Sequence, residues 1–430
     1  MKIYIHPAKA EWQQIIKRPA FDTLGLQDKV RSVLDDVRLN GDDAVKKYTK
    51  QFEGIEPEGI SVNEFEIAEA EGLLPAELKE AIKTAAKNIK AFHQKQLQQP
   101  EIIETMPGVT CWRKSVGIEK VGIYIPGGTA PLFSTVLMLA IPAVIAGCRQ
   151  IVLCTPAQKN GKIHPAVLYS AALCGVTKLY KVGGAQAIAA MAYGTETIPR
   201  ADKIFGPGNQ YVTCAKQLVQ MDGVAIDMPA GPSEVCVLAD ETADASFVAA
   251  DLLSQAEHGT DSQVVLITDS EEMATKVIAE TEAQLNVLPR KEIANEALKN
   301  SLVIVLKNIE EAIELVNEYA AEHLIIACKN DEEISQRVIN AGSVFLGNYS
   351  PESVGDYASG TNHTLPTNGF AKTYSGVSVD SFVKKITYQK VSREGLLNIG
   401  KTVETLAEFE GLEAHKNAVS IRLKSIIEGH

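Results

Sequence analysis

Two α/β domains built on parallel sheets are predicted by three observations: a length beyond one hydrophobic core, short apolar runs alternating with helical patterns, and a Gly or Pro after each run of the first set. The 430 residues divide into two or three units at roughly 150 residues each. The first set of runs is Val121-Gly-Ile-Tyr-Ile, Gln150-Ile-Val-Leu-Cys, Lys178-Leu-Tyr-Lys-Val and Lys203-Ile-Phe. The second is Glu234-Val-Cys-Val-Leu, Gln263-Val-Val-Leu-Ile, Leu302-Val-Ile-Val-Leu, Leu324-Ile-Ile-Ala and Ser343-Val-Phe-Leu. Helical stretches between them give the βαβ rhythm of a parallel sheet.

Taken in order, residues 1–21 form an N-terminal arm, and from Asp22 to Gln99 the chain is polar, with Val30, Leu34, Val37, Leu78, Ile82 and Ala85 at helical spacing. The division expected is a first, discontinuous α/β domain over 22–123 and 234–377, an inserted second α/β domain over 124–233, and a helical tail over 378–430. Ser134 to Cys148 is the most apolar stretch, but Pro142 interrupts it and it falls short of the roughly 20 residues of a membrane span, so it reads as a buried helix. The start Met1-Lys-Ile-Tyr-Ile-His-Pro lacks the basic and long apolar parts of a secretory signal, and a cytoplasmic location is expected.

Charge and cysteine content narrow the class. The formal net charge is −12 with Lys and Arg scattered, so a phosphate backbone is an unfavourable partner. Seven cysteines without C-x-x-C spacing, most in apolar runs, read as reduced core thiols rather than disulfides or a zinc finger.

Four segments carry groups fit for chemistry. A helix started by Thr242 or Asp244 and ended by Gly259 sets Gln255 and His258 on one face, where they converge on one ion or stand as a solvated amide and a cation at a helix C-terminus. Glu322-His323 precedes a strand: a proton-transfer pair or a surface pair. Ser350 to Pro366 is a long polar loop carrying Asp356 and His363, of a kind that lines sites or is simply exposed. Glu410 and His415 sit in the tail. Four of the eight histidines lie in these segments, and the donors are of the nitrogen and oxygen type that zinc accepts. No G-x-G-x-x-G follows the first strand of either set; Pro126-Gly-Gly-Thr-Ala-Pro and Gly206-Pro-Gly-Asn-Gln permit nucleotide binding without arguing for it. The fold class is thus two Rossmann-like parallel-sheet domains without that fingerprint, plus small helical N- and C-terminal segments. The turn Asn160 to His164 receives no role. Residues alone leave a zinc hydrolase, a nicotinamide dehydrogenase and a non-catalytic binding protein open.

From Val121 onward the motifs resemble the histidinol dehydrogenase family: Val121-Gly-Ile-Tyr-Ile-Pro-Gly-Gly, Val182-Gly-Gly-Ala-Gln-Ala, Ile204-Phe-Gly-Pro-Gly-Asn, Ile226-Asp-Met-Pro-Ala-Gly-Pro-Ser-Glu, Leu253-Ser-Gln-Ala-Glu-His-Gly, Ala321-Glu-His-Leu and Gly355-Asp-Tyr-Ala-Ser-Gly-Thr-Asn-His. The first hundred residues carry no diagnostic motif. The resemblance implies oxidation of L-histidinol through the aldehyde to L-histidine with two NAD, the last steps of histidine biosynthesis. It implies zinc held by Gln255, His258, Asp356 and His415, and proton transfer by Glu322 and His323. Substrate contacts fall to Ser233, His363 and Glu410 beside His323 and the metal ligands, and NAD contacts to Tyr124, Gln186 and Asn209. It also implies a homodimer in which the tail of one chain completes the pocket of the other. No cysteine lies in these motifs, so water rather than a thiol is the expected nucleophile.

Overall fold

A computed structural model of the chain describes residues 1–18, 25–55, 59–127, 130–176, 178–229 and 231–429. Parts of the expected arm and first domain (19–24), of the turn after Pro126 (Gly128, Thr129) and of the 226–234 motif (Ala230) lie outside the described residues. The strands are β1 (Lys2–Ile5), β2 (Ile102–Met106), β3 (Val109–Gly117), β4 (Lys120–Tyr124), β5 (Gln150–Thr155), β6 (Lys178–Lys181), β7 (Lys203–Phe205), β8 (Ala225–Ile226), β9 (Glu234–Ala239), β10 (Gln263–Thr268), β11 (Leu302–Val305), β12 (His323–Ala327), β13 (Ser343–Leu346) and β14 (Val383–Val391). Two compact units are present, residues 1–96 with 118–382, and residues 97–117 with 383 onward.

The larger unit holds both parallel sheets. One runs β6-β5-β4-β7-β8 and the other β1-β11-β10-β9-β12-β13, with every pair parallel. Residues 2–5 are therefore an edge strand. Apart from β1, each sheet places the first strand of its set at the centre, the next two on one side and the last two on the other. That order is a doubly wound half-domain, whose switch point lies beside the central strand.

Alternation within each strand feeds two helix layers. Cys236, Leu238, Val265 and Ile267 pack with Leu315, Val316 and Tyr319, while Val235, Val237, Val264 and Leu266 pack with Val248, Leu252 and Val277. Strands covered on both faces need apolar residues at every position, which explains the unbroken runs. The stretch expected as a buried helix is one: Phe133–Ile145 tolerates Pro142, and its residues 134–143 are buried.

Helix Leu26–Glu53 is interrupted at Gly41, whose φ of 51° and ψ of −129° break it. A side chain there would also strike the Glu196 carboxylate. The Asp42 carboxylate accepts the Thr197 hydroxyl, beyond the end of helix Gly184–Tyr193, while Glu53 meets that helix at its start. Segment 42–53 thus runs antiparallel to helix Gly184–Tyr193.

An ion pair not foreseen in the sequence ties the chain start to the second sheet. Arg18 donates to both Glu234 oxygens at 2.5 and 2.9 Å and to the Tyr319 carbonyl at 2.7 Å, and its guanidinium lies 4.1 Å from the Tyr319 ring centre. Since Glu234 is 2% exposed, Arg18→Leu strands a buried carboxylate and should cost about 3–5 kcal/mol. Urea denaturation checks this: an unchanged midpoint would show that the pair contributes no net stability.

In the smaller unit the three strands form an antiparallel sheet in the order β14-β3-β2, with Trp112 stacked on Tyr388 at 5.3 Å. Helices Arg393–Phe409 and Glu413–Glu428 follow. The tail after Ser378 is therefore not only helical; it includes a nine-residue strand. Among the described residues no helix is long and apolar enough to cross a membrane, and all seven cysteines are free.

Candidate active site

The two sheets offer opposite ends to one cavity of about 1030 Å³. From the five-stranded sheet come residues after the C-terminal end of β7, Pro207 to Gln210; from the six-stranded sheet come Ser233, Glu322 and His323 at the N-terminal ends of β9 and β12. Gln255, His258, Asp356 and His363 line it as well. Five segments of the sequence thus meet.

Parallel register sets the centre of the site. His323 pairs with Val235, bringing the 322–323 peptide beside residue 234. The Glu234 amide donates to Glu322 Oε2 at 2.9 Å, and the Glu234 carbonyl lies 3.2 Å from His323 Nδ1. That carbonyl favours a proton on Nδ1 and leaves Nε2 as the reactive nitrogen. Nε2 is 3.2 Å from Asp356 Oδ1, and Glu322 Oε2 is 3.6 Å from Nδ1. Glu322 and His323 are 7% and 3% exposed, so the surface-pair alternative is excluded.

Burial disfavours the His323 imidazolium, but Glu322 and Asp356 outweigh it and hold its pKa well above the usual value. Burial pushes the Glu322 carboxyl up, against the pull of His323. Asp356 is raised by burial yet held below the usual range overall by His323, His363 and His258. Burial lowers the pKa of both His258 and His363, favouring neutral rings.

Helix Ala245–Ala256 is capped by the Asp244 carboxylate at the Ser246 amide. It ends two residues before His258, earlier than the pattern suggests; a further turn, His258 N–H to Gln255 carbonyl at 3.2 Å, keeps both at the cavity. The polar loop after Ser350 contains a short helix, Glu352–Tyr357, which carries Asp356. His363 is fixed by the Thr135 hydroxyl at 3.0 Å and the Asp356 carbonyl at 2.8 Å. Beneath them the Glu352 carboxyl, fully buried and hydrogen-bonded to Ser254, is pushed up by burial to about 8.

The Gln255 amide nitrogen is 3.4 Å from His323 Nδ1, while its oxygen is buried without any hydrogen-bond partner. An orphaned acceptor beside an imidazole and a carboxylate fits a cation, and the donors are those of a hard or borderline metal. Among the described residues no three His, Cys, Asp or Glu side chains are grouped to hold a metal; the cavity is lined by the His258, His323 and His363 imidazoles, the Glu322 and Asp356 carboxylates and this amide.

The remaining expected residues are placed as follows. The Tyr124 hydroxyl accepts from the Gly184 amide at 3.0 Å. Gln186 is fully buried and donates to Glu53 at 3.1 Å. Asn209 caps helix Gln210–Met221 by accepting from two amides. All three follow C-terminal strand ends of the five-stranded sheet, where doubly wound folds take nucleotides. Glu410 and His415 are exposed residues of the smaller unit. His164, given no role, caps helix Pro165–Leu173 with its ring nitrogen.

Residues 16–423 match the family model for histidinol dehydrogenase. A histidinol dehydrogenase of Bacteroides thetaiotaomicron is 60% identical over 426 residues, covering 99% of this chain and 100% of that protein. One of Mannheimia succiniciproducens is 52% identical, covering 97% of each. A crystal structure of histidinol dehydrogenase from Elizabethkingia anophelis superposes with a TM-score of 0.97 at 57% identity, covering 99% of this chain and 98% of the other. The chain belongs to the histidinol dehydrogenase family.

Proposed function

We propose that the chain oxidises L-histidinol to L-histidinaldehyde and then to L-histidine, passing two hydrides to two NAD. The observation that carries this is His323 lining the cavity with Asp356 at its Nε2 and Glu322 beside the same ring, an imidazole base and a carboxylate base within one buried site. When bound, zinc supplies a Lewis-acidic anchor for the substrate's nitrogen donors and NAD supplies the hydride acceptor. Gln255, His258 and Asp356 would hold the metal together with His415 of the partner subunit, in a homodimer whose pockets are shared.

In the first oxidation the neutral form of His323, with the Asp356 carboxylate turned away from Nε2, takes the hydroxyl proton at that nitrogen as hydride leaves the carbinol carbon, giving the aldehyde. In the second, Glu322 takes a proton from a water that adds to the aldehyde carbon. His323, having released its first proton to solvent, then accepts the hydrate's proton as the second hydride departs, leaving the carboxylate. Ser233, His363 and, from the partner, Glu410 orient the substrate, so that the reacting carbon stays fixed between the two steps. Tyr124, Gln186 and Asn209 hold the dinucleotide across the five-stranded sheet.

Absorbance at 340 nm with L-histidinol and NAD tests the reading directly. Two NADH for each histidinol consumed are expected; one NADH with the aldehyde as end product, or none, would refute it.

A further inference from the structure

The five-stranded sheet lacks a part that dinucleotide sites normally carry. In doubly wound nucleotide domains an acid about 20 residues after the glycine turn, near the end of the second strand, takes the adenosine ribose 2′-hydroxyl. Here the second strand is β5, and Thr155-Pro156-Ala157-Gln158-Lys159 contains no acid. A carboxylate nevertheless reaches that place from elsewhere in the chain. Glu53, the last residue of helix Leu26–Glu53, accepts from the Gly183 amide at 3.0 Å and the Gln186 side chain at 3.1 Å, just past the end of β6. A Cβ on Gly183 would lie 2.7 Å from the Pro156 ring and 2.9 Å from Glu53 Oε1, so Glu53 and the end of β5 meet around one glycine.

We propose that Glu53 is the carboxylate that holds the adenosine ribose of the dinucleotide and sets the preference for NAD over its 2′-phosphorylated form, an inference that rests on the NAD reading above. Glu53 also caps the start of helix Gly184–Tyr193, and a structural cap needs only Oε1. Two further acceptors are left over: Glu53 Oε2 and Gln186 Oε1 are both buried without a hydrogen-bond partner. The Gln186 oxygen lies against Gly184, 2.7 Å from where a Cβ would stand. Unpartnered acceptors on two side chains that are hydrogen-bonded to each other match the two donors of a vicinal diol. Burial pushes the Glu53 carboxyl up to about 7, even against its two donors, as befits a buried acceptor still short of partners.

Polarity along the sheet assigns the ribose. The nicotinamide end must reach His323, whose cavity is lined by Pro207 to Gln210 after β7; the adenosine end therefore extends the other way from the switch point, over β5 and β6. A 2′-phosphate there would meet the Glu53 carboxylate, a like charge at hydrogen-bond range.

Fluorescence titration of NADH, NADPH and the 2′-deoxyadenosine analogue of NADH tests this in wild type, Glu53→Gln and Glu53→Ala, with thermal melting as the folding control. The Gln variant keeps an oxygen for the Gly183 amide and should fold as wild type. Wild type should lose about 10–100-fold in affinity for the deoxy analogue, as a hydrogen bond to a charged group implies. Glu53→Gln should weaken NADH by about tenfold, no longer distinguish the deoxy analogue, and discriminate less against NADPH. Equal NADH affinity in all three proteins, or an undiminished penalty for the deoxy analogue in Glu53→Gln, would overturn the assignment and leave Glu53 a cap. If wild type binds no NADH, the cofactor reading itself falls and this proposal with it, a result distinct from the other two.

Discussion

Glu322→Gln should leave oxidation of histidinol to the aldehyde within a few-fold of wild type while lowering oxidation of supplied histidinaldehyde by about 10²–10⁴-fold, the usual contribution of a general base. The asymmetry follows from geometry. An amide at 322 still accepts the Glu234 N–H with its oxygen, so the strand pairing that positions His323 survives. The amide cannot take a proton from water, however, and only the second oxidation needs a water. His323→Asn should slow both half-reactions by the same order, because each hydride transfer requires loss of a hydroxyl proton to that ring. NADH formation from histidinol and from histidinaldehyde, followed separately, gives the two rates. Equal loss of both in Glu322→Gln would contradict this division of labour.

How far such a site can be read in advance depends on how local its causes are. The strands of both parallel sheets other than β1 and β8 were legible because burial on two faces demands apolar residues at every position, as in Val235 to Ala239. Strand β14, Val-Lys-Lys-Ile-Thr-Tyr-Gln-Lys-Val, escaped because eight of its nine positions are exposed and its polar run resembles the helices around it. Glu322 and His323 stood out by motif, but their burial comes from pairing with β9, eighty-odd residues earlier in the chain. Arg18–Glu234 and Glu53–Gly183 are longer-range still. Glu53 ends its helix before Gly54, and its meaning appears only once the β5 end is seen to lack an acid. The helix carrying Gln255 ends early because the chain turns at Glu257 to bring His258 to the cavity, a tertiary preference that local pattern does not encode.

Mixing subunits tests the proposed metal ligands and the proposed shared pocket separately. His258→Asn and His415→Asn should each bind less zinc and lose activity by orders of magnitude, since removal of an imidazole leaves the Gln255 oxygen and the Asp356 carboxylate with too few co-ligands to hold the ion. Metal analysis of each purified protein reads the first effect. Unfolding both variants together and refolding them allows mixed dimers to form. In a mixed dimer one pocket combines both lesions, while the other joins an intact His258 to an intact His415, so random pairing should restore about a quarter of wild-type activity. A pocket completed by its own tail would carry one lesion in every subunit, and the mixture would stay inactive. Zinc content should follow the same quarter, because it is the intact pairing, rather than either chain, that retains the metal.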